Sequence, residues 1–494
     1  MAEDRSVVII GAGIGGIAAA VYLARNGYTV SVYEKNSEPG GRCGQIIREG
    51  HRFDLGATML IMPGIYHQIF DSLGIKLEEG SDIFPLEDIY RIYFDDGRSI
   101  AFTTDSERMK NQLEAIEPGS YEKSKKYITE GYEIFKMGIS KLIGRNFYNL
   151  FQLVNFRNIG LLIRLKTYIR HWTYARRFFS DPHLLMAYTF QNIYVGQSPI
   201  TSSALFSMVP AAELVEGSFY IKGGMFAIVE KLLGEAELSG VHFHYDNPVT
   251  RIKINNDRAE GIVLEDGTEI KADILLANAD LPYVYRKLLQ DTRISARLDR
   301  MKYSCSAICY HWGLDKVYPQ LEQHNVFLSN KFRNGLDSIF IDKNVGDKPS
   351  FYVHAPARND PSAAPPGCDT LSIVVAAGHI DKTKSQDWDL ITRRTRSAVT
   401  ERLMQLGMQD VVEHIKFEIC HTPENWESVC NISRGSVFGS LGHNILQMAY
   451  FRPHNRHDRY HNLYFVGGST HPGNGIPNVL ISAKLVTERI LSGK

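Results

Sequence analysis

The sequence predicts an α/β fold built on a parallel sheet, and three stretches carry the prediction. The apolar strand Val7–Ile10 runs through Gly11-Ala12-Gly13-Ile14-Gly15-Gly16 into a helix and returns as a second strand, 29–33, that ends on Glu34. Residues 273–280, Asp-Ile-Leu-Leu-Ala-Asn-Ala-Asp, read as a fully buried parallel strand with small polar residues at its carboxyl end. Near the chain's end a third buried strand, 462–466, opens into the glycine-rich run Gly467-Gly468-Ser469-Thr470-His471-Pro472-Gly473-Asn474-Gly475-Ile476-Pro477.

In the first turn, Gly11 permits the strand-to-helix reversal, Gly13 lets a pyrophosphate approach the backbone, and Gly16 allows close packing of helix on sheet. The helix N-terminus supplies N–H groups and the positive end of a dipole. Glu34 falls where a carboxylate accepts hydrogen bonds from an adenosine ribose and repels a 2′-phosphate. The next turn, Pro39-Gly40-Gly41-Arg42, adds N–H groups and one permanent positive charge, which tilts the choice of dinucleotide from NAD to FAD. Residues 52–59 then form a short loop placed to reach an isoalloxazine edge.

At 494 residues the chain has room for two or three domains and a long buried site. Lys+Arg and Asp+Glu balance at 55 each, so overall charge gives no reason to expect nucleic acid. The six cysteines form no C-x-x-C pair and read as reduced, buried thiols. With the first strand starting at residue 7, the expected location is the cytoplasm.

The balanced total hides a local excess. Residues 134–180 contain no Asp or Glu but nine bases, among them Arg164, Arg170, Arg176 and Arg177, with ten interleaved aromatics. That pattern suits anionic lipid headgroups, and a basic solvated face is the plainer alternative. Residues 182–212 carry no Lys, Arg, Asp or Glu, but interrupting polar residues argue against a membrane span. Helices lining an apolar cavity, or ordinary core packing, explain them equally well.

After a loop at 221–225, a helix ending near Leu238 precedes strands at 241–245 and 251–255 and a hairpin turning on Asp266-Gly267. Residues 300–450 alternate strands and turns with one clear helix, 388–406, which predicts a second, mixed-sheet domain; 363–367 reads as a surface loop. In the tail, a helix starting near Pro477 aims its N-terminus at a bound group. The expected division is 1–75, 215–290 and 455–494 for the dinucleotide domain, 76–130 and 291–454 for a substrate domain, and 131–214 for a helical, membrane-associating subdomain.

Head and tail together resemble the FAD-dependent carotenoid desaturases, the bacterial phytoene desaturase family within the amine-oxidase-like flavoproteins. Gly11–Gly16, Glu34-Lys35, Pro39–Arg42, Phe53-Asp54-x-Gly56, Asn278-Ala279-Asp280, Gln447 with Arg452-Pro453, and 467–477 carry the likeness. Ala57 departs from a usual proline, and Asn474 and Asn478 stand where smaller residues are usual. The resemblance implies a Rossmann-like FAD-binding domain of the amine-oxidase type and FAD contacts at Glu34, Arg42, Thr58, Met59, Val249, Asn278, Gly468, Gly475 and Ile476. It implies a long polyene substrate, with 3,4-desaturation beside a 1-hydroxyl as the nearest branch, and a quinone or oxygen as electron acceptor.

Among titratable groups His471 is the best-placed acid–base candidate, with bracing of the tail turn as the alternative. The run 454–461, rich in His and charge, lacks a matching metal-ligand set and reads as an exposed loop; no metal is expected. Cys305 and Cys309 have the spacing of one helix face, although core thiols explain them better. A redox-neutral carotene isomerase, an amine or porphyrinogen oxidase, and a non-catalytic carotenoid carrier stand as alternatives to a desaturase.

Overall fold

The computed structural model describes residues 5–80, 82–153 and 155–493; Met1 to Asp4 of the first expected domain lie outside the described residues, as does Val154 of the basic block. The α/β expectation holds. A five-stranded parallel sheet runs in the order His242–His244, Thr29–Tyr33, Ser6–Ile10, Ile274–Ala277, Leu463–Phe465. Val7 pairs with Val30 on one side and with Ile274 on the other, and Leu275 pairs with Leu463.

Both faces of this sheet are buried at its centre, which is why Val7–Ile10, Ile274–Ala277 and Leu463–Phe465 are unbroken apolar runs, while the edge strand His242–His244 leaves both histidines exposed. Val7 and Ile9 point to one core, where the helices Ile14–Arg25, Phe226–Leu238 and Ile476–Ser492 pack. Val8 and Ile10 point to the other, beneath the antiparallel strands Val249–Asn255, Arg258–Leu264 and Glu269–Lys271. The two-residue period of a strand divides the residues this way.

A second sheet of seven strands has the order Ile415–His421, Ser306–Leu314, Asp369–Ala377, Phe351–His354, His324–Leu328, Asp88–Phe94, Ser99–Thr103. It is antiparallel except where His324–Leu328 lies parallel to Asp88–Phe94. The helix Trp388–Gln405, capped by the Asp387 carboxylate on the Leu390 N–H at 2.9 Å, packs on it through Ile391, Val399 and Leu403.

Several expectations need correction. The boundaries at 131 and 214 fall inside the helices Ser120–Gly138 and Met208–Glu216, which cross closely at Gly131; a Cβ there would stand 2.7 Å from that of Ala211. Of the 363–367 loop, Pro366 and Gly367 are exposed as expected, but Ala363 and Ala364 are buried, where the Thr370 hydroxyl donates to the Ala363 carbonyl at 2.7 Å. Asn455 and His457 are buried too: the Asn455 amide donates to Phe465, His471 and Ser482, so the 454–461 run is internal bracing in part. Cys309 lies on a strand and Cys305 just before it, both buried in the core, and all six cysteines are free, three of them only half-buried. Among the described residues no helix is long and apolar enough to cross a membrane.

One buried cation organises the junction of tail and mixed sheet. Arg452 is 1% exposed, and its guanidinium donates to the carbonyls of Leu441, Gly442, Gln447, Gly468 and Thr470 at 2.6–3.2 Å. Burial pushes its pKa down to about 9. A lysine has neither the planar fork nor the donor count to satisfy five carbonyls. Arg452→Leu should cost about 3–5 kcal/mol, because it strands buried acceptors. Arg452→Lys should recover less than half of that; denaturant unfolding of the parent and both variants measures it, and an unshifted midpoint contradicts the assignment.

Candidate active site

The two sheets enclose one continuous cavity of about 1030 Å3. Its first half is built mainly of backbone. Gly11, Gly13, Ile14 and Gly15 come from the strand–helix turn, and Pro39 to Gly44 come from the second turn. The helix Ile14–Arg25 begins at Gly13 with no side-chain cap, and the helix Ile476–Ser492 begins at Gly475 with none. Two uncapped helix N-termini therefore open on the same cavity, and each favours an anionic or electron-rich group.

The glycine positions have packing reasons. A Cβ on Gly16 would overlap the Gly11 carbonyl oxygen, and one on Gly13 would come 2.8 Å from the Asn278 amide nitrogen. Gly16 itself is buried behind the turn rather than in the cavity wall, so it shapes the site by packing alone. The Asn278 amide donates to the carbonyls of Gly11 at 3.1 Å and Gly13 at 3.2 Å, fixing the turn.

Glu34 is buried at the cavity edge and held from both sides. One carboxylate oxygen accepts from the Ala12 N–H at 2.7 Å, and the other accepts from the Asn36 N–H at 3.0 Å and the Asn36 amide at 2.9 Å. Val249 stands near it, since the Asn247 N–H donates to the Glu34 carbonyl at 2.8 Å. Arg42 donates to the Val437 carbonyl at 2.9 Å and extends its guanidinium to Gly468, where a Cβ would lie 3.1 Å from it. Thr58, Met59, Gly468, Gly475 and Ile476 all line the cavity beyond this point.

His471 is placed elsewhere. It is absent from the cavity wall; its Nε2 donates to the Arg145 carbonyl at 2.9 Å, and its ring meets Phe147 edge-on. Burial pushes its pKa down to about 3. The geometry gives it the bracing position, tying the helical region to the tail turn.

The second half of the cavity is apolar. Phe190, Ile193 and Tyr194 from the uncharged 182–212 block face Val326, Leu328 and Phe351 of the mixed sheet and Phe332 and Leu336 beyond them. Most of that block, including Leu184, Tyr188 and Ala204, is core packing instead. Sequence reasoning missed Tyr352, Trp426, Val437 and Phe438 in the wall. They come from three segments without a motif, Val437 and Phe438 being neighbours, and only the alternation of 351–354 as a strand offered a signal.

This donor set fits FAD: backbone N–H groups for a pyrophosphate, Glu34 for a ribose, and an apolar chamber beyond. The family of flavin containing amine oxidoreductases matches residues 14–491. The chain belongs to that family. It is 37% identical to a zeta-carotene-forming phytoene desaturase of Myxococcus xanthus, over 99% of this chain and 94% of that one. It is 32% identical to a 4,4′-diapophytoene desaturase of Staphylococcus haemolyticus, over 98% of each. Among solved structures, a putrescine oxidase bound to putrescine shares the fold at TM-score 0.63 with 14% identity, covering 99% of both chains. The enzyme is an FAD-dependent oxidoreductase.

Loss of the Glu34 charge should weaken the cofactor's ribose contact. Glu34→Gln is expected to raise the FAD dissociation constant by about 10-fold, the worth of one charge-assisted hydrogen bond. Titrating FAD into stripped protein measures it, and an unchanged constant removes Glu34 from the cofactor contacts.

Proposed function

We propose that the enzyme is a carotenoid desaturase, removing a hydride and a proton from adjacent carbons of a long polyene. The observation that carries this reading is the uncharged second half of the cavity. Every charged residue in the described cavity wall, Glu34, Lys35, Glu38, Arg42 and Asp280, belongs to the dinucleotide half or its edge. An amine substrate needs a polar or charged partner near the reacting carbon, whereas a polyene needs apolar walls. The named activities of the similar desaturases support the same class.

Bound FAD supplies a two-electron hydride acceptor. The protein's part is to align the chain, exclude water, and present the positive end of the Ile476–Ser492 helix where negative charge develops. Within the class we place the substrate among carotenoids bearing a 1-hydroxyl, desaturated at the 3,4 position. Asn474 supports this finer reading: it lines the cavity near Gly468, and its Oδ1 is buried without a partner, an acceptor suited to a hydroxyl. A quinone or oxygen takes the electrons onward.

Docking at a membrane surface through 134–180 is part of the proposal, since a free polyene is nearly insoluble in water. Phe151 is 80% exposed and Tyr168 70%, and Arg164, Arg170, Arg176 and Arg177 of the same block are exposed as well. Lys136 and Lys166 are engaged by Glu133 and Glu130, so fewer than nine bases are available. The side chains of Phe156, Arg157 and Ile159 lie outside the described residues.

Anaerobic incubation with 1-hydroxylated and unhydroxylated carotenes and a quinone tests the reaction. A red-shifted product with equimolar reduced quinone is expected, fastest with the hydroxylated substrate; an altered carotene with untouched quinone would mean an isomerase. Changing Arg164, Arg170, Arg176 and Arg177 together to Glu should weaken flotation with anionic liposomes, and turnover with it, at constant FAD content. Equal flotation of variant and parent makes the block an ordinary basic surface.

A further inference from the structure

A hydrogen-bonded chain leads from Thr58 at the cavity into the mixed sheet, and beyond Thr58 cofactor binding does not account for it. The Tyr352 hydroxyl, in the cavity wall, lies 2.7 Å from Thr58 Oγ1 and 2.6 Å from His324 Nδ1. Behind it His324 stacks on His354, its register partner on the adjacent strand, with ring centroids 5.1 Å apart and planes at 11°. Both imidazoles are buried, at 1% and 2% exposure. His324 Nε2 and both ring nitrogens of His354 have no hydrogen-bond partner. Buried, unpaired ring nitrogens are destabilising, and apolar side chains would fill this sheet interior without that penalty. A working role for the imidazoles is the economical explanation.

We propose that Tyr352 and His324 carry away the proton released in desaturation. The inference rests on the reading of the cavity as a polyene site. In the resting arrangement the Thr58 hydroxyl donates to the Tyr352 oxygen, and the Tyr352 hydroxyl donates to His324 Nδ1. Bound FAD would supply the two-electron hydride acceptor; when one substrate carbon loses its hydride, the C–H bond on the neighbouring carbon breaks. Its electron pair becomes the new C=C π bond, and its proton passes to the Tyr352 oxygen. Tyr352 in turn transfers its own proton to His324 Nδ1, so no charge is left on the phenol. The proton returns through Tyr352 to water when the product leaves.

A weak base suffices. Burial pushes His324 down to about 3 and His354 well below its ordinary value, so both are neutral and ready to accept. A C–H beside a carbon that is losing hydride is far more acidic than an imidazolium, so transfer to such a base runs downhill. The low basicity also lets His324 surrender the proton afterwards. Tyr352 touches the cavity and is the catalytic member; His324 acts through it.

Anaerobic single-turnover reduction of the FAD-loaded enzyme by a carotene, in the parent, Tyr352→Phe and His324→Gln, tests the relay. Both variants should reduce about 10²-fold more slowly, with FAD content and carotene affinity unchanged. Deuterium at the proton-losing carbon should give a larger isotope effect in the variants than in the parent. Independently of turnover, the 15N resonances of His324 in histidine-labelled protein should move in Tyr352→Phe while those of distant histidines stay fixed. Reduction at the parent rate, or slowing matched by lost FAD or lost carotene binding, overturns the relay. A parent that no carotene reduces overturns the substrate reading itself, and the relay with it.

Discussion

The side chain of Asn278 joins three parts of the chain that are far apart in sequence, and the site depends on that junction. Its amide nitrogen holds the carbonyls of Gly11 and Gly13, while its Oδ1 lies against Gly15 and Gly467, where a Cβ would stand 3.0 and 3.2 Å away. Head turn, middle strand and tail turn are thereby fixed around one point. Only glycine leaves room for a carboxamide there, so the glycine-rich motifs at both ends of the chain answer to the same packing constraint. With the turn fixed, both uncapped helix N-termini open on one cavity.

The division of that cavity follows from the two sheets. The parallel sheet brings strand ends and helix starts together, which supplies backbone N–H groups and little side-chain volume. The mixed sheet presents one face of alternating residues, Val326, Leu328, Tyr352 and Val374, which supplies apolar surface with isolated polar atoms. A cofactor with a charged half and a planar half suits the first, and a long hydrocarbon suits the second. Arg452, buried behind the tail turn, keeps the two aligned by holding Gly468 to the 441–447 segment.

The dinucleotide half was legible in the sequence because its requirements are local. A glycine, a following helix and Glu34 lie within 24 residues of one another, and each answers to backbone geometry. Three of the five parallel strands, Val7–Ile10, Ile274–Ala277 and Leu463–Phe465, were readable from unbroken apolar runs. The polyene half was legible only in part: the uncharged 182–212 block contributes Phe190, Ile193 and Tyr194 to the wall, whereas Val326, Leu336 and Tyr352 join them through tertiary packing and sheet order, which residue spacing does not encode. His471 illustrates the limit. Its place in the tail motif suggested chemistry, yet the turn directs its ring away from the cavity and onto the Arg145 carbonyl. His324, with no motif around it, stands in contact with the cavity wall through Tyr352.

On this arrangement a single cavity holds FAD in the glycine cradle and the polyene over the mixed sheet. An experimental structure of the enzyme with FAD and a carotene bound tests it most directly. The isoalloxazine should lie between the 56–59 loop and the Gly475-Ile476 turn, with the polyene running past Tyr352 to Phe332 and Leu336. A carotene bound outside this chamber, or a flavin whose reactive edge faces away from Tyr352, would contradict it.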